Sequence, residues 1–119
     1  MALVNGGKLI QKVFEKEGVK YIFGIPGGHI YPMMEACDEA GIKFIGVRNE
    51  MNAAFMAEGW AFATGKPGVC TGTAGPGATN MVTGVANAYC NQAPMICVGG
   101  KARVSEYESN QLQDFNTMD

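Results

Sequence analysis

The sequence predicts an α/β fold, in which a parallel sheet carries helices on both faces. Short, nearly continuous apolar segments alternate along the chain with longer segments of helical character, which is typical of parallel strands joined by helices. The chain has 119 residues, of which 47% are hydrophobic and 17% charged. This length fits one domain, and this composition excludes a disordered chain.

Four short apolar runs are the predicted strands. They lie at residues 21–23, 43–47, 69–73 and 95–98. Glycine-rich or polar residues follow each run, so a loop is expected at the carboxyl end of each strand.

Four helices are predicted around these strands. Asn5 is the expected N-cap of the first helix, and Gly18 ends it. The others are predicted at residues 31–40, 51–64 and 78–91. In the fourth helix, apolar residues at helical spacing predict one buried face, formed by Ala78, Met81, Val82, Val85, Ala86 and Tyr89.

Three loops that follow predicted strands carry the most unusual residues. They are the segments 26–29, 48–50 and 74–80. The carboxyl ends of parallel strands meet at one edge of the sheet, and ligands bind beyond that edge. The sequence therefore predicts a binding site where these loops converge.

Neither of the two common phosphate-binding motifs fits the glycine-rich loops. For a P-loop, the segment 59–65 has one residue too many between its glycines, and Pro67 follows Lys66. The segments 24–28 and 72–77 do not match the glycine spacing of a dinucleotide fingerprint. A dinucleotide-binding domain is therefore disfavoured.

Charge and cysteine content exclude several other classes of protein. The net charge of −2 favours neither nucleic acid nor an anionic membrane as a partner. No apolar run approaches the length needed to span a bilayer. The cysteines form no CxxC pair, so we expect free buried thiols in a reducing cytoplasm and no metal site. They are Cys37, Cys70, Cys90 and Cys97.

One set of motifs is more specific than any of its members. It comprises the segments 23–28, 48–50 and 75–80, the alanine- and glycine-rich stretch 53–69, and Pro94. In order and spacing the set resembles the N-terminal pyrimidine-binding (PYR) domain of thiamine-diphosphate-dependent enzymes related to acetolactate synthase, benzoylformate decarboxylase and benzaldehyde lyase. The resemblance covers nearly the whole chain.

The resemblance implies a catalytic role for Glu50, which would contact N1′ of the aminopyrimidine ring of thiamine diphosphate and activate the cofactor. It also implies that Thr73, Pro76 and Asn80 line the pyrimidine pocket. From position alone, Glu50 would be an acidic residue stabilised by a helix dipole. The other three would be turn and cap residues. The surrounding matches favour cofactor binding.

The resemblance also implies catalytic, substrate-facing roles for His29 and Gln113. A histidine and a glutamine face the substrate at matching positions of benzaldehyde lyase and related carboligases or cyclic-diketone hydrolases, whereas acetolactate synthases have a small residue in place of His29. The imidazole would exchange a proton with a substrate hydroxyl. The alternatives are a polar residue near a helix start for His29 and a solvated loop residue for Gln113, with Gln111 as a neighbouring candidate.

The resembled enzymes hold the diphosphate through Mg²⁺ on a separate domain with a GDG…N motif, which does not occur in this sequence. We therefore expect residues 1–119 to be a single partial domain, incomplete at its C-terminus and inactive alone. Its expected partners are a small carbonyl substrate and either further copies in a homo-oligomer or a complementary diphosphate-binding chain.

The implied activity is that of a lyase or transferase. It would cleave or form C–C bonds on 2-oxo acids, 2-hydroxy ketones or aldehydes. The alternative hypothesis is a non-catalytic α/β domain that acts as a scaffold or dimerisation module.

Overall fold

Four parallel strands form one sheet in the computed structural model, which describes residues 4–106 and 112–113. Their bounds are β1 Tyr21–Gly24, β2 Lys43–Gly46, β3 Gly68–Gly72 and β4 Met95–Gly99. The strand order is β2–β1–β3–β4, and every neighbouring pair is parallel. The predicted fold class is confirmed, and each strand begins and ends within one residue of its predicted bounds.

Within the described residues, five α-helices connect and flank these strands. They are α1 Gly6–Lys16, α2 Tyr31–Glu39, α3 Glu50–Thr64, α4 Pro76–Thr79 and α5 Val82–Cys90, and short 3₁₀ helices lie at Gly28–Ile30 and Val104–Glu106. Helix α1 begins and ends as predicted. The side chain of Asn5 accepts a hydrogen bond from the Lys8 N–H at 2.9 Å, and Gly18 follows the helix with a left-handed φ of 71°.

The helices form two layers, one on each face of the sheet. Helices α1 and α2 pack on one face, where Phe14 and Ile22 belong to the first apolar cluster. Helices α3 and α5 pack on the other, where Phe23 and Ala54 belong to the second. Ile22 and Phe23 are consecutive in β1, so their side chains point to opposite faces. The predicted coverage of both faces is confirmed.

The single helix predicted at 78–91 is wrong, because the chain forms α4 and α5 with a break at residues 80–81. At the break, the N–H of Met81 donates to the carbonyl of Ala78 at 3.2 Å. A bond to the third preceding residue interrupts the α-helical pattern, which bonds to the fourth.

The buried face predicted for that helix is only partly right. Met81 is buried and Val85 packs against the second cluster, but the exposed fraction is 59% for Val82 and 86% for Tyr89. Helix α5 also buries Gly84 and Ala88, which are small enough for a close approach to α3. The part of the predicted face that contains Val82 and Tyr89 is therefore exposed.

The cysteines are free thiols, as predicted, but only two of them are buried. Cys37 and Cys70 lie in the core, whereas Cys90 and Cys97 are exposed. No helix among residues 4–106 and 112–113 is long and apolar enough to cross a membrane.

Candidate functional site

The connections after β1 and β3 leave the sheet on opposite faces. Helix α2 follows β1 in the first layer, whereas α4 and α5 follow β3 toward the second. Strands β1 and β3 are neighbours in the sheet. Their carboxyl ends therefore form a topological switch point, which is where open parallel sheets bind ligands.

Glu50 is the first residue of α3, directly after the short loop that follows β2. The side chain of Asn49 caps this helix by accepting a hydrogen bond from the Met51 N–H at 2.9 Å. Glu50 is only 8% exposed. The side-chain amide of Asn80 donates to its Oε2 at 3.1 Å. Two residues predicted separately from the sequence thus meet across the switch point.

Two glycines make the space in which the Glu50 side chain lies. A Cβ added at Gly77 would lie 2.9 Å from Thr73 Cγ2 and 3.5 Å from Glu50 Oε1. A Cβ added at Gly72 would lie 3.3 Å from Glu50 Cγ and would overlap the carbonyl of Gly77. Neither position accommodates a side chain, because the added carbon would press on Thr73 from Gly77 and on the Gly77 carbonyl from Gly72. Gly72 was predicted in the third strand and Gly77 in the loop that follows it, and neither position predicted this contact.

His29 joins the loop after β1 to the end of β3. Its Nδ1 lies 3.0 Å from Thr73 Oγ1, which is a hydrogen bond between two predicted site residues. Gly27 and Gly100 make the approach possible. A Cβ on Gly27 would lie 2.5 Å from Thr73 Cβ, and a Cβ on Gly100 would lie 2.8 Å from the Cβ of His29.

The remaining predicted residues are less closely integrated. Pro76 is exposed and lies at the first position of α4, where the fixed φ of proline suits a helix start. Gln113 has a half-buried side chain and a left-handed φ of 65°. Its substrate-facing role stays a prediction. Gln111 lies outside the described residues.

An apolar groove of about 890 Å³ runs beside the site, between α4–α5 and β4. Its lining includes Val82, Val85 and Tyr89, the residues whose burial had been predicted, together with Cys97. The groove therefore exposes the apolar stripe of α5 next to the loop that carries Asn80.

A second buried carboxylate lies further along α3. Both oxygens of Glu58 accept hydrogen bonds from the Asn87 amide, at 2.9 and 2.7 Å, and Oε1 accepts another from Asn91 at 2.9 Å. Sequence reasoning missed this network. Its one signal is the spacing of two asparagines, four residues apart, at the end of an otherwise apolar helix.

Comparison with known proteins agrees with this geometry. The family described as thiamine pyrophosphate enzyme, N-terminal TPP binding domain, matches residues 4–119. The chain belongs to this family. The matched range contains every predicted site residue, and the predicted resemblance to a PYR domain is confirmed.

Similar curated proteins are named as acetolactate synthases and 2-hydroxyacyl-CoA lyases. A probable acetolactate synthase large subunit of Methanocaldococcus jannaschii is 40% identical over 115 residues, which is 97% of this chain and 20% of that protein. A 2-hydroxyacyl-CoA lyase 2 of Danio rerio is 40% identical, over 96% of this chain and 18% of that protein. The acetolactate synthase isozyme 1 large subunit of Escherichia coli is 39% identical, over 95% and 20%. The chain thus spans about a fifth of the length of the curated relatives it matches.

The residues at the switch point fit the pyrimidine end of thiamine pyrophosphate, the cofactor of the matched family. Glu50 is nearly buried, yet among the described residues only Asn80 donates a side-chain hydrogen bond to it. An ionised carboxylate offers about four acceptor sites. Gly72 and Gly77 keep the space around the carboxylate free of side chains. A buried acceptor with unused capacity is suited to a ring that presents a hydrogen-bond donor.

Proposed function

We propose that this chain is the pyrimidine-binding part of a thiamine-diphosphate-dependent lyase or carboligase. The enzyme would cleave or form C–C bonds on 2-oxo acids, 2-hydroxy ketones or aldehydes. The observation that carries the proposal is the buried carboxylate of Glu50, held by the Asn80 amide at the switch point, in a chain that belongs to the thiamine pyrophosphate enzyme family.

Thiamine diphosphate, when bound, would supply carbanion chemistry toward a carbonyl substrate, while the protein would supply orientation and proton transfer. In this proposal Glu50 holds or releases a proton at the carboxyl oxygen that meets the pyrimidine ring. The Asn80 amide holds Oε2 at 3.1 Å, which restrains the rotamer of the carboxylate. The other oxygen, on the side of Gly77, is then available to the ring. Thr73 and Pro76 would line the same pocket.

His29 is proposed to serve the substrate. Because its Nδ1 is engaged with Thr73 Oγ1 at 3.0 Å, Nε2 is the nitrogen left to exchange a proton with a substrate hydroxyl. The hydrogen bond also selects the orientation of the ring. Gln113 is proposed as a second polar contact to the substrate.

The diphosphate and its Mg²⁺ are proposed to bind outside residues 1–119, on a separate diphosphate-binding domain supplied within a homo-oligomer or by a complementary chain. Two observations support this division. The relatives are about five times longer than the chain, and a metal-binding group of three His, Cys, Asp or Glu side chains is absent from the described ranges. The proposal includes a location in the cytoplasm.

Calorimetric titration of thiamine diphosphate with Mg²⁺ tests the role of Glu50. The chain is titrated alone and together with a complementary diphosphate-binding chain, as wild type, Glu50→Gln and Glu35→Gln. Glu35 is an exposed carboxylate on α2 and serves as the charge control. We expect Glu50→Gln to weaken binding about tenfold or more, as expected when a hydrogen bond to a charged group is lost. We expect Glu35→Gln to bind like wild type.

Equal affinity of the wild type and Glu50→Gln would contradict the proposal. Absence of binding even with the complementary chain, from a folded protein, would favour the scaffold alternative. Lyase or ligase activity of the mixed chains would exclude that alternative.

A further inference from the structure

Two cysteines face each other across strands β3 and β4. Cys70 and Cys97 are partners in the parallel register, so their side chains point to the same face of the sheet, toward α3 and α5. Neighbouring strands lie about 4.8 Å apart. This separation falls within the Cα–Cα range of about 4.4–6.8 Å that a disulfide spans.

Two methionines complete a cluster of sulfur atoms around this pair. Cys97 Sγ lies 3.7 Å from Met81 Sδ, and Cys70 Sγ lies 3.8 Å from Met95 Sδ. The parts of the chain that the structure describes contain no group of three His, Cys, Asp or Glu side chains suited to a metal. Of the four sulfur atoms in this cluster, only those of the two thiols can join in a disulfide.

The two thiols differ in their access to solvent. Cys70 is fully buried, with an exposed fraction of 0%, whereas Cys97 is exposed and opens into the apolar groove beside α5. Small molecules in the groove can therefore reach Cys97, whereas Cys70 is shielded from solvent.

The two thiols also differ in acidity. The neighbouring Cys70 thiol lowers the pKa of the Cys97 thiol, although partial burial acts in the opposite direction. The Cys97 side chain and burial together raise the pKa of Cys70 far above its ordinary range. Cys97 is therefore the member of the pair that forms the nucleophilic thiolate.

We propose that Cys97 and Cys70 form a peroxide-sensitive modification site, in which Cys97 is oxidised first and Cys70 converts it to a disulfide. An exposed reactive thiol beside a resolving thiol is the arrangement found in redox-sensing proteins. A disulfide between directly paired parallel strands is reducible again by cellular thiols if its geometry is strained.

The reaction balances with a hydroperoxide as the oxidant. The Cys97 thiolate attacks one peroxide oxygen, so that an S–O bond forms, the O–O bond breaks, and hydroxide or alkoxide leaves. The sulfur of Cys70 then attacks the sulfenic sulfur of Cys97. The S–S bond forms, the S–O bond breaks, and the departing hydroxide takes up the thiol proton as water. The two thiols lose two electrons, which the peroxide gains.

The cysteine pair is connected to the Glu50–Asn80 site through neighbouring residues and one backbone hydrogen bond. The Cys97 thiol that contacts Met81 Sδ would be consumed, and Met81 directly follows Asn80, the partner of Glu50. Cys97 also lies two residues before Gly99, after which Gly100 donates its N–H to the Gly72 carbonyl at 3.0 Å. We expect the disulfide to alter two contacts. These are the contact of Cys97 with Met81, next to the start of α5, and the backbone hydrogen bond between Gly100 and Gly72 at the end of β3.

Mass spectrometry of the full 119-residue chain tests the proposal, with Cys90→Ala as the reference protein because it removes the other exposed thiol. The reduced chain is treated with equimolar hydrogen peroxide and digested with chymotrypsin, which cleaves after Tyr89 and separates Cys70 from Cys97. We expect the chain to lose two hydrogen atoms and its two peptides to remain linked until reduction.

Two further variants in the same background identify the order of the steps. Cys70→Ala should stop at a sulfenic acid that dimedone traps at Cys97. Cys97→Ala changes an exposed side chain. This variant should consume peroxide at least about tenfold more slowly than the reference protein. Unlinked peptides at a peroxide dose that oxidises Cys97 would overturn the proposal, as would equal peroxide consumption by Cys97→Ala. Linkage of Cys90 to Cys97 in the wild type, in place of the proposed pair, would also overturn it.

Discussion

Helix α3 carries two buried carboxylates, Glu50 and Glu58, whose surroundings are similar in kind and different in degree. Their exposed fractions are 8% and 5%, and each accepts hydrogen bonds from asparagine amides of the segment that follows β3. Glu58 receives three such contacts of 2.7–2.9 Å. Glu50 receives one, at 3.1 Å. A buried carboxylate with saturated acceptors fastens two helices, whereas one with unused acceptors is available to a ligand.

The largest expected effect comes from removing the saturated carboxylate. Glu58→Ala should lower the free energy of unfolding by about 2–3 kcal/mol, because charge-assisted hydrogen bonds between α3 and α5 are lost. Urea unfolding measures this. Glu35→Ala, on the exposed surface of α2, should stay within about 0.5 kcal/mol of wild type. Equal stability of Glu58→Ala and wild type would break the comparison.

The second prediction concerns the close packing of α3 against α5, which places the asparagine amides beside Glu58. A Cβ on Gly84 would lie 2.5 Å from Ala54 Cβ and 3.2 Å from the Met51 carbonyl. Gly84→Ala should therefore cost about 1–3 kcal/mol, because it forces the helices apart. The matched control is Gly59→Ala on α3, where an added Cβ meets nothing within 4 Å.

Gly59→Ala should stabilise the chain by about 0.5–1 kcal/mol, because alanine suits a helix interior better than glycine. Both variants are measured by thermal and urea unfolding. A neutral Gly84→Ala would show that the two helices can separate without loss. The hydrogen bonds of Glu58 would then be weaker than their distances indicate.

Alkaline pH should lower the stability of both carboxylate variants through buried thiols, of which Cys37 lies in the opposite layer of the fold and Cys70 in the same layer as the carboxylates. Burial raises the pKa of Cys37 above its ordinary value of 9.0, so its thiol ionises more readily in the unfolded chain. This contribution is fully present below pH 9 and is lost as the pH rises toward the folded pKa.

Between pH 8 and 10 the loss from this thiol should be about 1 kcal/mol. The Cys37→Ala variant should show a shallower alkaline loss than a Cys90→Ala control. The difference in stability between Glu50→Gln and Glu58→Ala should stay constant over this range. A difference that changes with pH would contradict the assignment of the alkaline loss to Cys37.

The smallest expected effect on stability is that of the ligand-facing carboxylate. Glu50→Gln should change the free energy of unfolding by less than about 0.5 kcal/mol, because an amide retains most of the shape and relieves the burial of a charge. The same substitution should abolish most cofactor affinity. A loss of stability as large as that of Glu58→Ala would show that Glu50 is a structural residue.

The strands and the loop positions could be predicted from the sequence because they depend on local apolar runs and on glycine. Glu50, Asn80, His29 and Thr73 could be named, but their pairing could not. Glu50–Asn80 and His29–Thr73 contacts depend on the strand order β2–β1–β3–β4, which no local pattern specifies.

The apolar stripe of α5 shows a different limit. Val82 and Tyr89 recur at helical spacing, which indicates that the stripe is buried against something. The pattern does not say whether that surface belongs to the same chain. In this structure α5 packs through Gly84 and Ala88 instead, so the stripe remains exposed.

The hydrogen bond between His29 and Thr73 has a consequence for protein engineering. The loop after β1 and the end of β3 also approach through Gly27 and Gly100, which leave no room for a side chain against Thr73 and His29. A loop transplanted from a related lyase into residues 25–29 would therefore need its own partners at positions 73 and 100. Chimeras that exchange these three segments as a unit should fold better than those that exchange the loop alone.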